Sequence, residues 1–276
     1  MKPPRGRREA SAGSALRDGR PARVIRHGLA RVLSKRGLCS RTEAARWVGD
    51  GRVSVDGRIV RDPEAPTLPD ARIAIDGVAA VAARRCYIAL HKPRGLVTTT
   101  RDEQGRDTVY RCLDGAGLPW LAPVGRLDKG SEGLLLLGND PAWAAAITDP
   151  ATGPSKTYHV QVDALPDETL PGALVRGVEV DGELLRAQAA RVLRVGQKNA
   201  WLELVLDEGR NRHIRRLLAA FDVGVLRLVR VAIGDLALGD LPKGAWRELT
   251  ADEIAAFVPP SATVRPSARP ARGRSG

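Results

Sequence analysis

The sequence predicts an α+β fold in two parts: a small α/β domain, then a larger domain with a mainly antiparallel mixed sheet flanked by helices. Three observations carry this. The chain has 276 residues, 43% of them hydrophobic, enough to bury a core in each of two domains. Between residues 24 and 80 the apolar period changes from that of helices to that of hairpin strands. Beyond residue 84, strand and helix patterns follow one another without regular alternation, which disfavours a doubly wound parallel sheet.

Residues 1–23 are rich in Arg, Gly, Pro, Ser and Ala, hold almost no large apolar side chain, and are expected to be disordered. Residues 24–80 read as a compact domain. Leu29, Val32 and Leu33 share one face of a helix that Gly37 ends. Ser40 and Glu43 form a capping box for a second helix, whose buried face is Ala44, Trp47 and Val48. Val53 and Val55 alternate with polar residues, Asp56-Gly57 turns the chain, and Ile59-Val60 returns as a hairpin. Ile73 and Ile75 supply a further strand.

Residues 84–258 form the larger domain. Residues 87–90 are a strand candidate, followed by a turn at 91–95. Residues 133–138 are a continuous apolar run, the mark of a fully buried strand. Asp140-Pro141 opens a helix with an acidic N-cap and proline at its first position. Residues 156–162 and 201–206 read as strands. Glu208-Gly209-Arg210 then turns into a helix with Ile214, Leu217, Leu218 and Phe221 on its buried stripe. Residues 225–231 return as a strand, and Thr250 to Glu253 cap a last helix. Residues 259–276 resemble the N-terminal end in composition and are likewise expected to be disordered.

Composition excludes several classes. No apolar run approaches the roughly 18 residues of a spanning helix, and no apolar segment follows the basic N-terminus as in a secretory signal. Cys39, Cys86 and Cys112 are far apart and make neither a disulfide framework nor a CxxC site, which implies a reducing, cytoplasmic setting. The four histidines lack ligand spacing, and no GxGxxG or HExxH is present, so neither a metal nor a cofactor is expected. Gly125 and Gly130 have the spacing of a phosphate-binding loop, but Lys129 precedes the second glycine instead of following it, and that reading fails. The net charge is +12, and nine of those charges lie on residues 1–23 and 259–276. Basic arms of this kind suit a polyanion partner.

Residues 27–63, HGLARVLSKRGLCSRTEAARWVGDGRVSVDGRIVRDP, resemble the S4-like RNA-binding domain. The resemblance implies contact with structured RNA through an exposed basic helix face carrying Arg36, Arg41 and Arg46. The segment PVGRLDKGSEGLLLLGND resembles the active-site motif of pseudouridine synthases of the RsuA/RluB/RluE/RluF class, which modify ribosomal RNA. HKPRGLVTT, SKTYHVQV and the stretch beginning LDEGRNRHIRRLL match further motifs of that class in order. The resemblance implies an isomerase that needs no cofactor and converts a uridine of ribosomal RNA to pseudouridine.

Its nucleophile would be Asp128, attacking either the ribose or the base. A carboxylate serves as a nucleophile only when ionised, so a cation beside it is expected, and the matching residue is Arg215. Helix geometry agrees: at about 100° per residue from Ile214, Arg215 borders the apolar stripe and Arg216, at about 200°, faces solvent. Tyr158 matches the tyrosine that stacks on the uracil, and Arg126 the arginine that helps hold the target nucleotide out of its stack. Lys92 and Arg94, on the expected turn, and Arg210 and Arg212, before the helix, complete the RNA-binding set.

Two positions depart from the class: His213 stands where glutamine is usual and could charge near its ordinary pKa, and Gly130 replaces an acidic residue. The expected partner is ribosomal RNA or a pre-ribosomal particle, bound by a monomer and with no membrane involved. Two rivals share these features: a non-enzymatic RNA-binding or ribosome-assembly protein, and a synthase acting on tRNA or another RNA.

Overall fold

The computed structural model describes residues 25–258 apart from 101 and 103; the two ends expected to be disordered lie outside the described residues. In the N-terminal domain β1 (His27–Gly28) leads into α1 (Leu29–Lys35) and α2 (Arg41–Gly49). There follow β2 (Val53–Val55), β3 (Arg58–Ile59), β4 (Pro66–Thr67), β5 (Ile73–Ile75) and β6 (Val78–Ala79). β4 pairs with β1, and the others form an antiparallel sheet in the order β3-β2-β5-β6. Leu29, Val32 and Leu33 of α1 and Ala44 and Val48 of α2 pack on Val53 and Ile73, as the apolar spacing predicts. The β2–β3 turn places Asp56 and Gly57 at φ 50° and 82°, the left-handed pair that a two-residue hairpin requires.

The expected capping box of α2 is half formed. Ser40 Oγ accepts from the Glu43 amide at 3.0 Å, but the Glu43 carboxylate pairs with Arg46 at 3.3 Å. Trp47 is half-buried, with the Arg52 guanidinium 5.6 Å from its ring centre.

The larger domain runs β7 (Tyr87–Lys92), β8 (Ala122–Val124), β9 (Glu132–Gly138), α3 (Pro141–Thr148), β10 (Lys156–Val162) and α4 (Leu170–Arg176). It continues through β11 (Val178–Val180), β12 (Glu183–Leu185), β13 (Ala189–Val195), β14 (Ala200–Leu206) and α5 (His213–Ala219). It ends with β15 (Val225–Ile233), β16 (Leu236–Ala237), β17 (Trp246–Glu248) and α6 (Ala251–Ala255). The central sheet has the order β13-β14-β10-β15-β9-β7-β17, with β8 on β9 and β16 on β15. Its ladders are antiparallel except β9·β15, a short parallel contact pairing Glu132 with Val229 and Gly133 with Arg230. Only glycine fits there: Gly133 has φ +109°, and a Cβ would lie 2.2 Å from the Arg230 carbonyl oxygen.

One core lies under β10 and β14, where Val160, Leu202 and Leu204 meet Leu174 of α4 and Ile214, Leu217 and Leu218 of α5. A second, around β9 and α3, joins Leu134, Trp143, Ile147 and Phe257. A third packs Ile88 and Leu90 on Leu127, Leu135 and Val109. Tyr158 touches both the first core and the third, so it stands where the two halves of the sheet meet.

Candidate active site

The loop between β8 and β9 is held from outside at five successive carbonyl oxygens. Thr98 Oγ1 donates to Leu127 O at 2.7 Å. Lys92 Nζ donates to Asp128 O at 3.1 Å and to Ser131 O at 2.8 Å. The Gly95 amide donates to Lys129 O at 2.8 Å, and Arg215 Nη2 to Gly130 O at 3.3 Å. A short polar loop fixed at each peptide presents its side chains in one arrangement without ordering them at the moment of reaction.

The Asp128 side chain points from this loop into an open cleft of about 470 Å³. Tyr158 and Arg230, on adjacent strands of its floor, line the cleft together with Lys156. Arg215 of α5 and the preceding segment Arg210 to His213 form a second wall, and Arg126 stands on the rim, exposed. Asp128, Tyr158, Arg215, Arg126, Arg210 and Arg212 thus converge from segments far apart in the chain.

Arg215 is half-buried, and its guanidinium donates to Val225 O and Gly130 O, each at 3.3 Å. Burial lowers its pKa, and the charge of Arg212 lowers it further; Asp128 pulls the other way and Arg94 adds a little repulsion. Arg215 therefore clamps the loop two residues beyond Asp128 and sits within reach of its charge. Among the described residues it makes no direct ion pair with that carboxylate.

Comparison with known proteins fits this arrangement. The RNA pseudouridylate synthase family matches residues 86–220, and the S4 domain family matches residues 27–73. An RNA pseudouridine synthase of Rickettsia bellii is 37% identical over 224 residues, covering 80% of this chain and 96% of that protein. One from Mycobacterium leprae is 37% identical over 230 residues, covering 82% and 90%. The chain belongs to the RNA pseudouridine synthases. A solved pseudouridylate synthase superimposes with a TM-score of 0.59 at 28% identity, covering 85% of this synthase and all of that chain.

Several residues of the synthase stand elsewhere than the sequence predicts. Lys92 was expected on an exposed turn against RNA; it is the last residue of β7 and fully buried. Strand pairing with β9 continues through His91 and Lys92, which carries the lysine beneath the loop, where its three protons go to the carbonyls of Pro93, Asp128 and Ser131. Arg94 remains exposed.

In the N-terminal domain Arg36 is not free on a basic face: it is half-buried and donates to the carbonyls of Ala80, Pro69 and Ala71. Arg41 and Arg46 stay at the surface but pair with Glu64 and Glu43. Arg210 is exposed and pairs with Glu208. Arg216 points away from the cleft as predicted, but not into solvent. It pairs with Asp181 and Glu183 and so ties α5 to the β11–β12 hairpin.

His213, which the sequence left free to charge, is buried; its Nε2 donates to Arg186 O at 3.0 Å, and burial lowers its pKa. Arg230 and Lys156 went unnoticed in the sequence. The signal available for Arg230 was a lone arginine in the apolar run LVRVAI.

Among the described residues no helix is long and apolar enough to cross a membrane.

Proposed function

We propose that this synthase isomerises a specific uridine of ribosomal RNA to pseudouridine, with Asp128 as the nucleophile and no cofactor, in the cytoplasm and as a monomer. The observation that carries the reading is the convergence of Asp128, Tyr158 and Arg215 on one cleft. The choice of ribosomal RNA rests on the resemblance of the four motifs to the RsuA/RluB/RluE/RluF class and on the S4 domain match.

The target nucleotide leaves its stack and enters the cleft, at a cost of a few kcal/mol that Arg126 on the rim offsets by gripping the RNA backbone. The uracil stacks on Tyr158. Asp128 attacks the ribose or the base, and the bond from N1 to C1′ breaks with its electron pair remaining on the uracil. The ring turns, C5 bonds to C1′, the bond to Asp128 breaks with its electron pair returning to the carboxylate, C5 loses its proton, and N1 takes one up. The sum is redox-neutral. Arg215 keeps the loop in place and holds its positive charge within reach of the Asp128 carboxylate. Arg210 and Arg212 line the cleft, and Arg94 lies close enough to repel Arg215, so positive charge faces the flanking phosphates.

The test is incubation with unmodified ribosomal RNA, followed by carbodiimide treatment and reverse-transcription mapping. A stop that appears with the wild type and not with Asp128→Asn is the expected result, with RNA affinity within about threefold for the two. Equal turnover by Asp128→Asn, with deamidation excluded by mass spectrometry, would refute the role of Asp128. A stop only in tRNA would refute the substrate.

A further inference from the structure

The floor of the cleft holds a buried cation with no ion-pair partner among the described residues. Arg230 is only 5% exposed. Its Nε donates to Leu134 O at 2.7 Å, which fixes the guanidinium, and its Nη2 is buried with no hydrogen-bond partner. Among the described residues no carboxylate pairs with it. A second cation lies nearby: Lys156 lines the same cleft, and its pKa is lowered by burial and then by the charge of Arg230. Burying an unpaired guanidinium is costly, and a donor left without an acceptor adds to that cost. Such a group persists where something absent from the free protein completes it.

Strand register directs this arginine at the reaction. β10 and β15 pair with a slip between Thr157, opposite Ala232, and Tyr158, opposite Arg230, so Val231 is an extra residue in the ladder. Bulges of this type re-aim a side chain. Here the bulge sets Arg230 directly across from Tyr158, and directly opposed residues share one face of a sheet.

We propose that Arg230 binds a carbonyl oxygen of the target uracil and takes up the negative charge that reaches it during isomerisation. The proposal rests on the function proposed above but not on where Asp128 attacks. Attack at C6 of the base moves an electron pair onto O4. Departure of the base from C1′ leaves the pair on N1, shared with O2. Either route loads a carbonyl oxygen, and a fixed, water-excluded cation stabilises that state more than the neutral ground state. Where the bound oxygen is O4, a cytosine would present an amino donor in its place, and the same arginine would disfavour it.

The experiment compares wild type, Arg230→Met and Arg230→Lys in single turnover at saturating RNA. The RNA is a transcript containing the mapped target, made once with uridine and once with 5-fluorouridine throughout. Consumption of the target nucleotide is read by nuclease digestion and mass spectrometry, and RNA affinity is measured in parallel. On uridine, Arg230→Met is expected to lose about 100-fold in rate with RNA affinity within about threefold. Arg230→Lys, which keeps the charge without the fork, should fall in between.

Fluorine at C5 withdraws electrons and stabilises the anion by itself, so the deficit of both variants should shrink on the 5-fluorouridine transcript. An arginine that merely fills the sheet would produce the same loss on both transcripts. That result, or a normal rate in Arg230→Met, would overturn the proposal. If Arg230→Met does not fold, the same comparison of Arg230→Lys on the two transcripts decides. A wild type that consumes neither transcript would instead refute the function on which the proposal stands.

Discussion

Replacing Lys92 with methionine tests whether a buried ammonium, beyond packing alone, holds the Asp128 loop. Burial pulls this lysine down from 10.5 to about 8, with the Asp128 charge opposing the shift only in part. The difference corresponds to about 3 kcal/mol of charging cost in the folded state at neutral pH. Between pH 8 and 10.5 the unfolded chain keeps a proton that the folded protein has lost, so stability rises with pH across that window. Below it both states hold the proton and the dependence is flat.

Methionine keeps an unbranched stem and carries no proton, so Lys92→Met should lack this rise. Burial pushes the Cys39 thiol up to about 12 and also raises the Tyr110 phenol, and both weaken the fold at high pH. They do so in both proteins and cancel in the comparison. Urea denaturation at about pH 7.5 and about pH 10.5 should show the wild type gaining about 3 kcal/mol relative to the variant. At the lower pH the variant sheds the charging cost but leaves loop carbonyls short of a donor, at about 1–3 kcal/mol each. Its net stability should therefore change by no more than a few kcal/mol, while its single-turnover rate falls by at least about tenfold. Parallel stability curves for the two proteins between those pH values would refute the buried, charged lysine.

Arg215→Ala should remove nearly all isomerisation at saturating RNA and Arg215→Lys should rescue it poorly, because one ammonium cannot span the carbonyls of Gly130 and Val225; near-normal single-turnover rates would refute this. Arg216→Ala should leave the chemical step intact and loosen the β11–β12 hairpin instead, seen as faster amide exchange in residues 178–185. Gly133→Ala should destabilise the protein by at least about 3 kcal/mol, measured by urea denaturation, because the new methyl meets the Arg230 carbonyl at a strained φ. Deleting residues 1–23 and 259–276 should weaken RNA binding and flatten its salt dependence without altering the site modified, since nine of the twelve net charges lie there; an unchanged salt slope would show that these ends do not touch RNA.

The sequence by itself determined the parts of this synthase that local pattern controls. Helix periodicity placed Leu29, Val32 and Leu33 inward and turned Arg215 toward a cleft and Arg216 away from it. The Asp140-Pro141 start, the Thr250 capping box and the buried run of β9 stand where their short-range chemistry put them. The elements α4, β11, β12 and β13 were not legible as such, because their stretches carry no strong period.

Tertiary structure alone decided the electrostatics. The Arg215 and Gly130 groups that bond are 85 residues apart, and Arg230 and Leu134 are 96 apart, so neither contact leaves a trace in a local window. A lysine before Pro93 reads as an exposed turn residue because a charged side chain is by default solvated. Only the pairing of β7 with β9 carries Lys92 under the loop, where backbone carbonyls replace its water.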